Sequence, residues 1–394
     1  MNKYMQFLIF FSIVIVGFFL ANYYIFSRSI AVFEPGSLLR KLFVFTFWTL
    51  AASYFVGRVL ERIQISFFSD SLVWIGSFWM GALLYFILIV LLLDVLKITN
   101  YFFGIFPQLN TDNFQKAKTI TFIFSVLLVA GLLVFGFINA RRPIIKSITI
   151  DISKYSNELK ELNIAVVSDI HLGTIIGNGY LSRVVSEINS LKPDIILIAG
   201  DLLDEDLEPV IRQNLGETLR MLYAPKGVFA IMGNHEYIGG VEAASKYLSE
   251  HGIVVLKDSV VLIDNSIYII GRDDKESARF GSSSRKSLQA LYDDFEIDES
   301  LSVIVLDHQP VDINSAVLLN ADVQFSGHTH KGQIWPINYL VNAIFKVGYG
   351  HQEINKTNVI VTSGIGTWGP PIRIGNSPEI LSVKLRFNSL DELK

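Results

Sequence analysis

The chain has 394 residues, 33 Lys+Arg against 37 Asp+Glu, 51% apolar side chains and no cysteine. Its charge is unevenly spread: residues 1–140 hold 9 basic and 5 acidic side chains, residues 141–394 hold 24 and 32, which excludes both a uniform water-soluble domain and a wholly intramembrane chain. The acidic second part argues against a nucleic-acid binder, whose surface would be basic, and the lack of cysteine excludes disulfides, thiolate metal sites and a cysteine nucleophile.

Four uncharged stretches come first, at residues 7–26, 42–57, 71–93 and 119–140. A helix needs about 20 apolar residues to cross the hydrocarbon core. The second stretch is short and must borrow Val59 and Leu60 past Arg58. The first is too long for a signal-peptide core and has no small-residue cleavage site at Asn22-Tyr23-Tyr24. These helices, residues 1–142, read as an anchor in the lipid bilayer rather than a pore. Asp94, the one interior-like carboxylate, is expected to pair with Lys97 a turn on, and residues 98–106 read as an interfacial aromatic stretch. Basic residues divide six against six between the two sides, a tie under the positive-inside rule. The cluster Arg141, Arg142 and Lys146 favours a cytoplasmic catalytic part.

Pro143 stops the fourth helix, and residues 147–152 alternate as an opening strand. Short apolar runs then recur, each ending at a polar cluster: 163–167 before Ser168-Asp169-Ile170-His171, 194–199 before Gly200-Asp201, 227–232 before Gly233-Asn234-His235-Glu236, 301–306 before Asp307-His308, and 321–326 before Gly327-His328-Thr329-His330. Helical patterns lie between them, at 180–191 and 207–222 for example, and residues 281–284 (GSSS) form a loop tip. Near-continuous Val/Ile/Leu runs alternating with helices indicate an α/β fold whose strands are buried on both faces. Ligands in such sheets gather beyond the carboxyl ends of the strands, so five clusters at five strand ends point into one crevice.

Five of the seven histidines sit in these clusters. Carboxylate and imidazole donors without thiolate suit divalent Mn, Fe or Zn. Asp201 has oxygens enough to bridge two ions. Two ions about 3.5–4 Å apart can hold a hydroxide and stabilise the entering and leaving oxygens of an in-line displacement, which is chemistry for a phosphoester. His251, before Gly252, reads as a helix C-terminal partner, and His351 as a loop residue. Asp204 is expected to hold its loop or cap the next helix.

These motifs resemble the calcineurin-like metallophosphoesterase superfamily over residues 147–386, and its membrane-associated bacterial branch in the run Gly327-His328-Thr329-His330-Lys331-Gly332-Gln333 and the closing Gly364-Ile365-Gly366, Pro371-Ile372-Arg373 and Pro378-Glu379-Ile380. The resemblance implies a four-layer αββα sandwich over residues 143–394. It implies one metal on Asp169, His171, Asp201 and His330, and a second sharing Asp201 with Asn234, His308 and His328. His235 would serve near the leaving group as general acid or electrostatic stabiliser, and Asn234 would stand beside it in the catalytic motif. Glu236 stands where many relatives have Asp, as support for His235. Arg373 is a candidate substrate-phosphate contact or partner of a carboxylate.

Monoesters, diesters and pyrophosphates all fit such a metal core. The anchor, a basic loop bearing Arg272, Lys275, Arg279, Arg285 and Lys286, and the uncharged segment 334–345 favour a phosphoester or pyrophosphate in a lipid or lipid-linked metabolite. No nucleic-acid or obligate protein partner is expected. The alternatives are a tethered phosphodiesterase or phosphatase with a soluble substrate, and a non-catalytic membrane sensor or binding module.

Overall fold

The computed structural model describes residues 3–105, 111–155, 159–280 and 284–388. Phe106 and residues 281–283 of the expected loop tip lie outside these. The chain divides into two compact units, Met1–Gly136 with Gly369–Pro371, and Phe137–Trp368 with Ile372–Lys394.

The first unit is built on four helices, α1 (Lys3–Ser29), α2 (Leu38–Ile63), α3 (Phe67–Phe103) and α4 (Thr111–Ala140), the last of which runs on into the second unit. All four are long and apolar enough to cross a membrane. At 1.5 Å per residue α2 is about 39 Å long, more than the ~30 Å hydrocarbon core. It continues past Arg58, whose charge is met by the buried Glu61 at 3.2 Å. Ser37 caps α2 by accepting from Arg40 N, and Ser66 caps α3 with Ser69. Gly76 lets α3 approach the Tyr54 backbone so closely that a methyl group there would overlap it, the small-residue contact by which membrane helices pack. Against the aromatic-rich core of Ile25, Phe47, Ala51, Trp79 and Leu83 lies a buried polar bond, Trp79 Nε1 to Asn22 Oδ1 at 2.9 Å. Asp94 makes its direct contacts to α1 rather than to Lys97. Its carboxylate takes Arg28 Nη2 at 2.8 Å and the Tyr24 hydroxyl at 2.7 Å, both from α1, because its side chain faces that neighbouring helix. The aromatic stretch after residue 98 continues α3 as far as Phe103.

In the second unit, β1 (Ile144–Tyr155), β2 (Glu161–Val167), β3 (Ile195–Ala199), β4 (Val228–Ile231) and β5 (Val254–Leu256) are followed by β6 (Ser259–Ile263), β7 (Ile267–Gly271), β8 (Ser302–Leu306), β9 (Val323–Ser326), β10 (Gly350–Ile354), β11 (Thr357–Val361) and β12 (Glu379–Asn388). They form two six-stranded sheets, ordered β1-β12-β2-β3-β4-β5 and β10-β11-β9-β8-β7-β6. β2 through β5 run parallel, as do β7, β8, β9 and β11. Alternate residues such as Ile164, Val166 and Leu197 meet Ile269, Ile304 and Phe325 of the other sheet in one core. Fully burying each such side chain stabilises by about 1.5–3 kcal/mol. The intervening Ala165, Val167 and Ile198 are equally buried, so they face outward under helices. The helix Asn178–Ser190 buries Leu181, Val184, Val185 and Ile188 on one stripe. On the other sheet Leu288, Leu291 and Tyr292 pack against Ile270, Val303 and Val305. Helix, sheet, sheet and helix thus stack as four layers.

The long helix expected over 207–222 is two short ones, Glu208–Arg212 and Leu215–Leu219, because Asn214 between them takes a left-handed backbone (φ 54°). His351 lies in β10, not in a loop. His251 ends the helix Val241–Glu250 with Nδ1 2.7 Å from Tyr247 O.

Candidate metal centre

Each chemical cluster follows the carboxyl end of β2, β3, β4, β8 or β9. The backbone turns sharply there: Asp169 (φ 54°), His171 (54°), Asp201 (50°), His328 (68°) and His330 (48°) are all left-handed. Side-chain-bearing residues hold this conformation at a cost of about 1–3 kcal/mol each, and only where the surroundings over-determine it. Here backbone bonds lace the loops together: Asp169 N to Gly200 O, His171 N to Asp201 O, Gly327 N to His308 O and Gly366 N to Asp169 O, all 2.8–3.0 Å. Gly327 makes this possible, since a methyl group on it would overlap Ser168 Oγ and Asp169 Oδ2.

The seven residues expected as ligands converge. His171 Nε2 lies 3.0 Å from His330 Nε2, which is 3.5 Å from Asp169 Oδ1. Asp201 Oδ2 is 3.9 Å from His171 Nε2 and 3.1 Å from His308 Nε2. Asn234 Oδ1 is 3.1 Å from His308 Nε2 and 2.8 Å from His328 Nδ1. Among the described residues three groups are tight enough to hold an ion: Asp169–His171–His330 and Asp201–His308–His328 among the expected ligands, and His171–Asp204–His235 beside them. Asp201 stands between the first two.

The electrostatics suit cations. Burial pushes the imidazoles of His171 to about 3 and His328 to about 4, and with the neighbouring His171 and Arg373 it holds His330 well below the usual range. These rings are therefore uncharged at neutral pH and keep a lone pair. Burial opposes ionisation of Asp201 too, but the charges of His308 and His235 outweigh it and hold the carboxyl well below its ordinary value. Asp169 is raised to about 6, by burial first. Oxygen and nitrogen donors, nearly solvent-free and without sulfur, fit borderline divalent ions. Among the described residues His171 Nδ1 finds no hydrogen-bond partner.

His235 stands beside this set, its ring edge-on to His171 at 4.6 Å and to the exposed Trp368 at 5.6 Å. Burial would lower it, yet Asp201, Asp204 and Glu205 raise it to about 9. Asp204 N donates to Leu172 O at 2.9 Å across its loop, and its Oδ1 lies 3.3 Å from His235 Nδ1. The signal was present in the three-residue step from Asp201 to Asp204. Glu236 accepts from Gly233 N, Leu203 N and Asp201 N at 2.7–3.2 Å and so ties the β3 and β4 loops together.

Arg373 bonds main-chain carbonyls rather than a carboxylate. It is wholly buried, donates to the carbonyls of Gly366, Ser363 and Gly364 and to Asn376 Oδ1, and sets Nη2 3.4 Å from His330 Nδ1. The loop after β11 leaves several inward carbonyls that a five-donor fork can satisfy together. The basic loop is also different. Arg272 is buried and pairs with Asp307 and Asp312 at 2.8 Å, and Arg285 reaches the other Asp307 oxygen at 2.9 Å. Arg279 and Lys286 pair with Glu276 and Asp294, and Lys275 is exposed beyond the carboxyl end of β7. The segment 334–345 is a helix, Ile337–Ile344, with Val341 buried and Tyr339, Leu340 and Ile344 exposed. Phe345 stands edge-on to His328 at 6.1 Å.

Paired sheets with a buried carboxylate–imidazole set at their strand ends define a metal-dependent hydrolase. The calcineurin-like phosphoesterase family profile matches residues 162–332. An uncharacterized metallophosphoesterase of Campylobacter jejuni is 28% identical over 385 residues, covering 97% of this chain and 99% of that protein. One from Aquifex aeolicus is 32% identical over 232 residues, 57% of this chain and 85% of its own length. A zebrafish (Danio rerio) protein described as a transmembrane protein with metallophosphoesterase domain is 31% identical over 282 residues, 67% of this chain and 62% of that protein. The chain belongs to the calcineurin-like metallophosphoesterases. It is a membrane protein and a metal-dependent hydrolase of phosphoester bonds.

Proposed function

We propose that the chain, anchored by residues 1–142, uses a pair of divalent ions (Mn, Fe or Zn) in residues 143–394 to cleave a phosphoester or pyrophosphate bond of a lipid or lipid-linked metabolite. The observation that carries the paired site is Asp201, whose Oδ2 lies 3.9 Å from His171 Nε2 in one donor group and 3.1 Å from His308 Nε2 in the other. Asp169, His171, Asp201 and His330 would hold one ion; Asp201, Asn234, His308 and His328 the other. Bound there, the ions supply an activated water and neutralise charge on the phosphoryl oxygens. His235 presents Nδ1 to Asp204 at 3.3 Å, which leaves Nε2 to give a proton to the departing oxygen. Asp204 orients that ring. Trp368, 54% exposed beside His235, shields the leaving-group side from water.

Lipid substrates are favoured by the anchor and by the exposed apolar helix beside His328. Arg141, Arg142 and Lys146 support a cytoplasmic catalytic part on a bacterial inner or plasma membrane. The test is hydrolysis by detergent-purified full-length protein, wild type beside Asp201→Asn, on p-nitrophenyl and bis-p-nitrophenyl phosphate, phospholipids and nucleotide-linked lipids. Mn-stimulated turnover that falls at least about 100-fold in the variant supports the paired site. Turnover of soluble esters with every lipid ignored would overturn the lipid reading in favour of a tethered phosphatase. No turnover with two ions bound would favour a binding module.

A further inference from the structure

The second unit has a surface whose composition the catalytic reading leaves unused. The helix Ile337–Ile344 contributes Tyr339 (65% exposed), Leu340 (60%) and Ile344 (64%), and Trp335 just before it is 47% exposed. Only Val341 of that helix is buried. Next to it, Tyr349 carries two ammonium groups on its ring, Lys331 Nζ at 4.0 Å and Lys146 Nζ at 4.9 Å from the centroid. Among the described residues neither lysine has an ion-pair partner. The ring's hydroxyl donates to Glu379 at 3.0 Å, which fixes the tyrosine and therefore both cations. Two like charges gathered on one ring attract an anion.

Lys146 is flanked by the exposed Ile144 and Ile145. It follows Ala140, the last residue of α4, by only six residues, so it can lie no more than about 20 Å of extended chain from the end of that helix. Aromatic and aliphatic side chains bordered by lysines, on a domain carrying excess acid elsewhere, match a membrane surface with anionic headgroups. We propose that the helix Ile337–Ile344, with the Lys146–Tyr349–Lys331 cluster, docks on anionic phospholipid of the membrane that holds the anchor. This deepens the lipid reading above and rests on it: Lys331 follows the proposed ligand His330 directly, and Phe345 of the same segment touches His328, so docking presents the metal centre to headgroups at the bilayer surface.

The absence of cysteine provides the test. Leu340→Cys, labelled with a nitroxide or with bimane, is placed in full-length protein reconstituted singly into phosphatidylcholine nanodiscs with and without phosphatidylglycerol. Leu318→Cys, exposed on another helix, is the control. The Leu340 label should lose most of its quenching by aqueous iodide when phosphatidylglycerol is present, while the Leu318 label stays open. Adding Lys146→Glu and Lys331→Glu should restore the quenching; Lys146→Gln alone, the milder change, should restore part of it. A Leu340 label as accessible as the control in both lipids would overturn the proposal. So would protection indifferent to phosphatidylglycerol and to both lysine changes, or, in discs loaded with two or more copies, spin–spin broadening that reveals a second copy covering the helix. Hydrolysis of bis-p-nitrophenyl phosphate, read on the same discs, separates the two ideas. A protected label without hydrolysis sinks the catalytic reading alone, and an open label with hydrolysis sinks the docking alone.

Discussion

Arg373 shows how much a single buried side chain can hold together. Its guanidinium satisfies three carbonyls and an amide oxygen in a solvent-free pocket against His330. An ammonium cannot reproduce that fork. Arg373→Lys should therefore lower stability by about 2–4 kcal/mol, read as a fall in thermal midpoint, and weaken metal binding about 10- to 100-fold, as loss of a group behind a ligand does. Asp204→Asn should behave otherwise. It leaves the donor set intact but removes the acceptor at His235 Nδ1, so kcat falls about 100-fold while metal content by elemental analysis and KM change little. Equal loss of metal would instead make Asp204 part of the metal site. Gly327→Ala should cost most of the bound metal, because its methyl group displaces Ser168 and Asp169.

At the scale of elements, the strand-to-loop turns are where stability has been exchanged for geometry. Five proposed ligands sit in left-handed backbone, held by bonds between loops that are distant in sequence. The motifs were legible because each ligand falls within a few residues of a Val/Ile/Leu run, and a buried strand announces where it ends. What supports the ligands was not legible. Nothing local says that Arg272 and Arg285 converge on Asp307, next to His308, since their meeting depends on β7 lying beside β8. The same holds for Asp94: Lys97 is near in sequence, but Arg28 and Tyr24 are near in space. Asp94→Asn should lower the thermal midpoint of the detergent-solubilised protein, and Tyr24→Phe by less, because it leaves the Arg28–Asp94 ion pair in place.

For the molecule as a whole, a sheet core covered by helices could be anticipated from apolar runs alternating with helices; its layering into two sheets followed only from the resemblance, and the order of strands from neither, since periodicity is silent about neighbours. The centre they build gathers Asp169, Asp201 and Glu236 in a nearly solvent-free volume. Cations that bind the folded chain but not the unfolded one must stabilise it: free Mn at about 100 times its Kd adds ~2.7 kcal/mol per site. EDTA should accordingly lower the thermal midpoint and Mn restore it, with Asp201→Asn abolishing the difference. A midpoint indifferent to EDTA would argue against a metal-loaded resting state.

The position of β12 has a consequence for how the protein is made. β12 lies between β1 and β2, pairing Ile144 with Glu379 on one side and Val166 with Leu381 on the other. During synthesis the anchor emerges first, and β1 then waits for more than two hundred residues before its partner exists. Its edge stays unpaired throughout, the condition that invites pairing with a wrong chain. The first sheet closes only when β12 leaves the ribosome, so a nascent chain arrested before residue 379 should be degraded or held by chaperones however complete its metal-binding motifs. Assembly of this enzyme thus carries its own check that translation has run through β12.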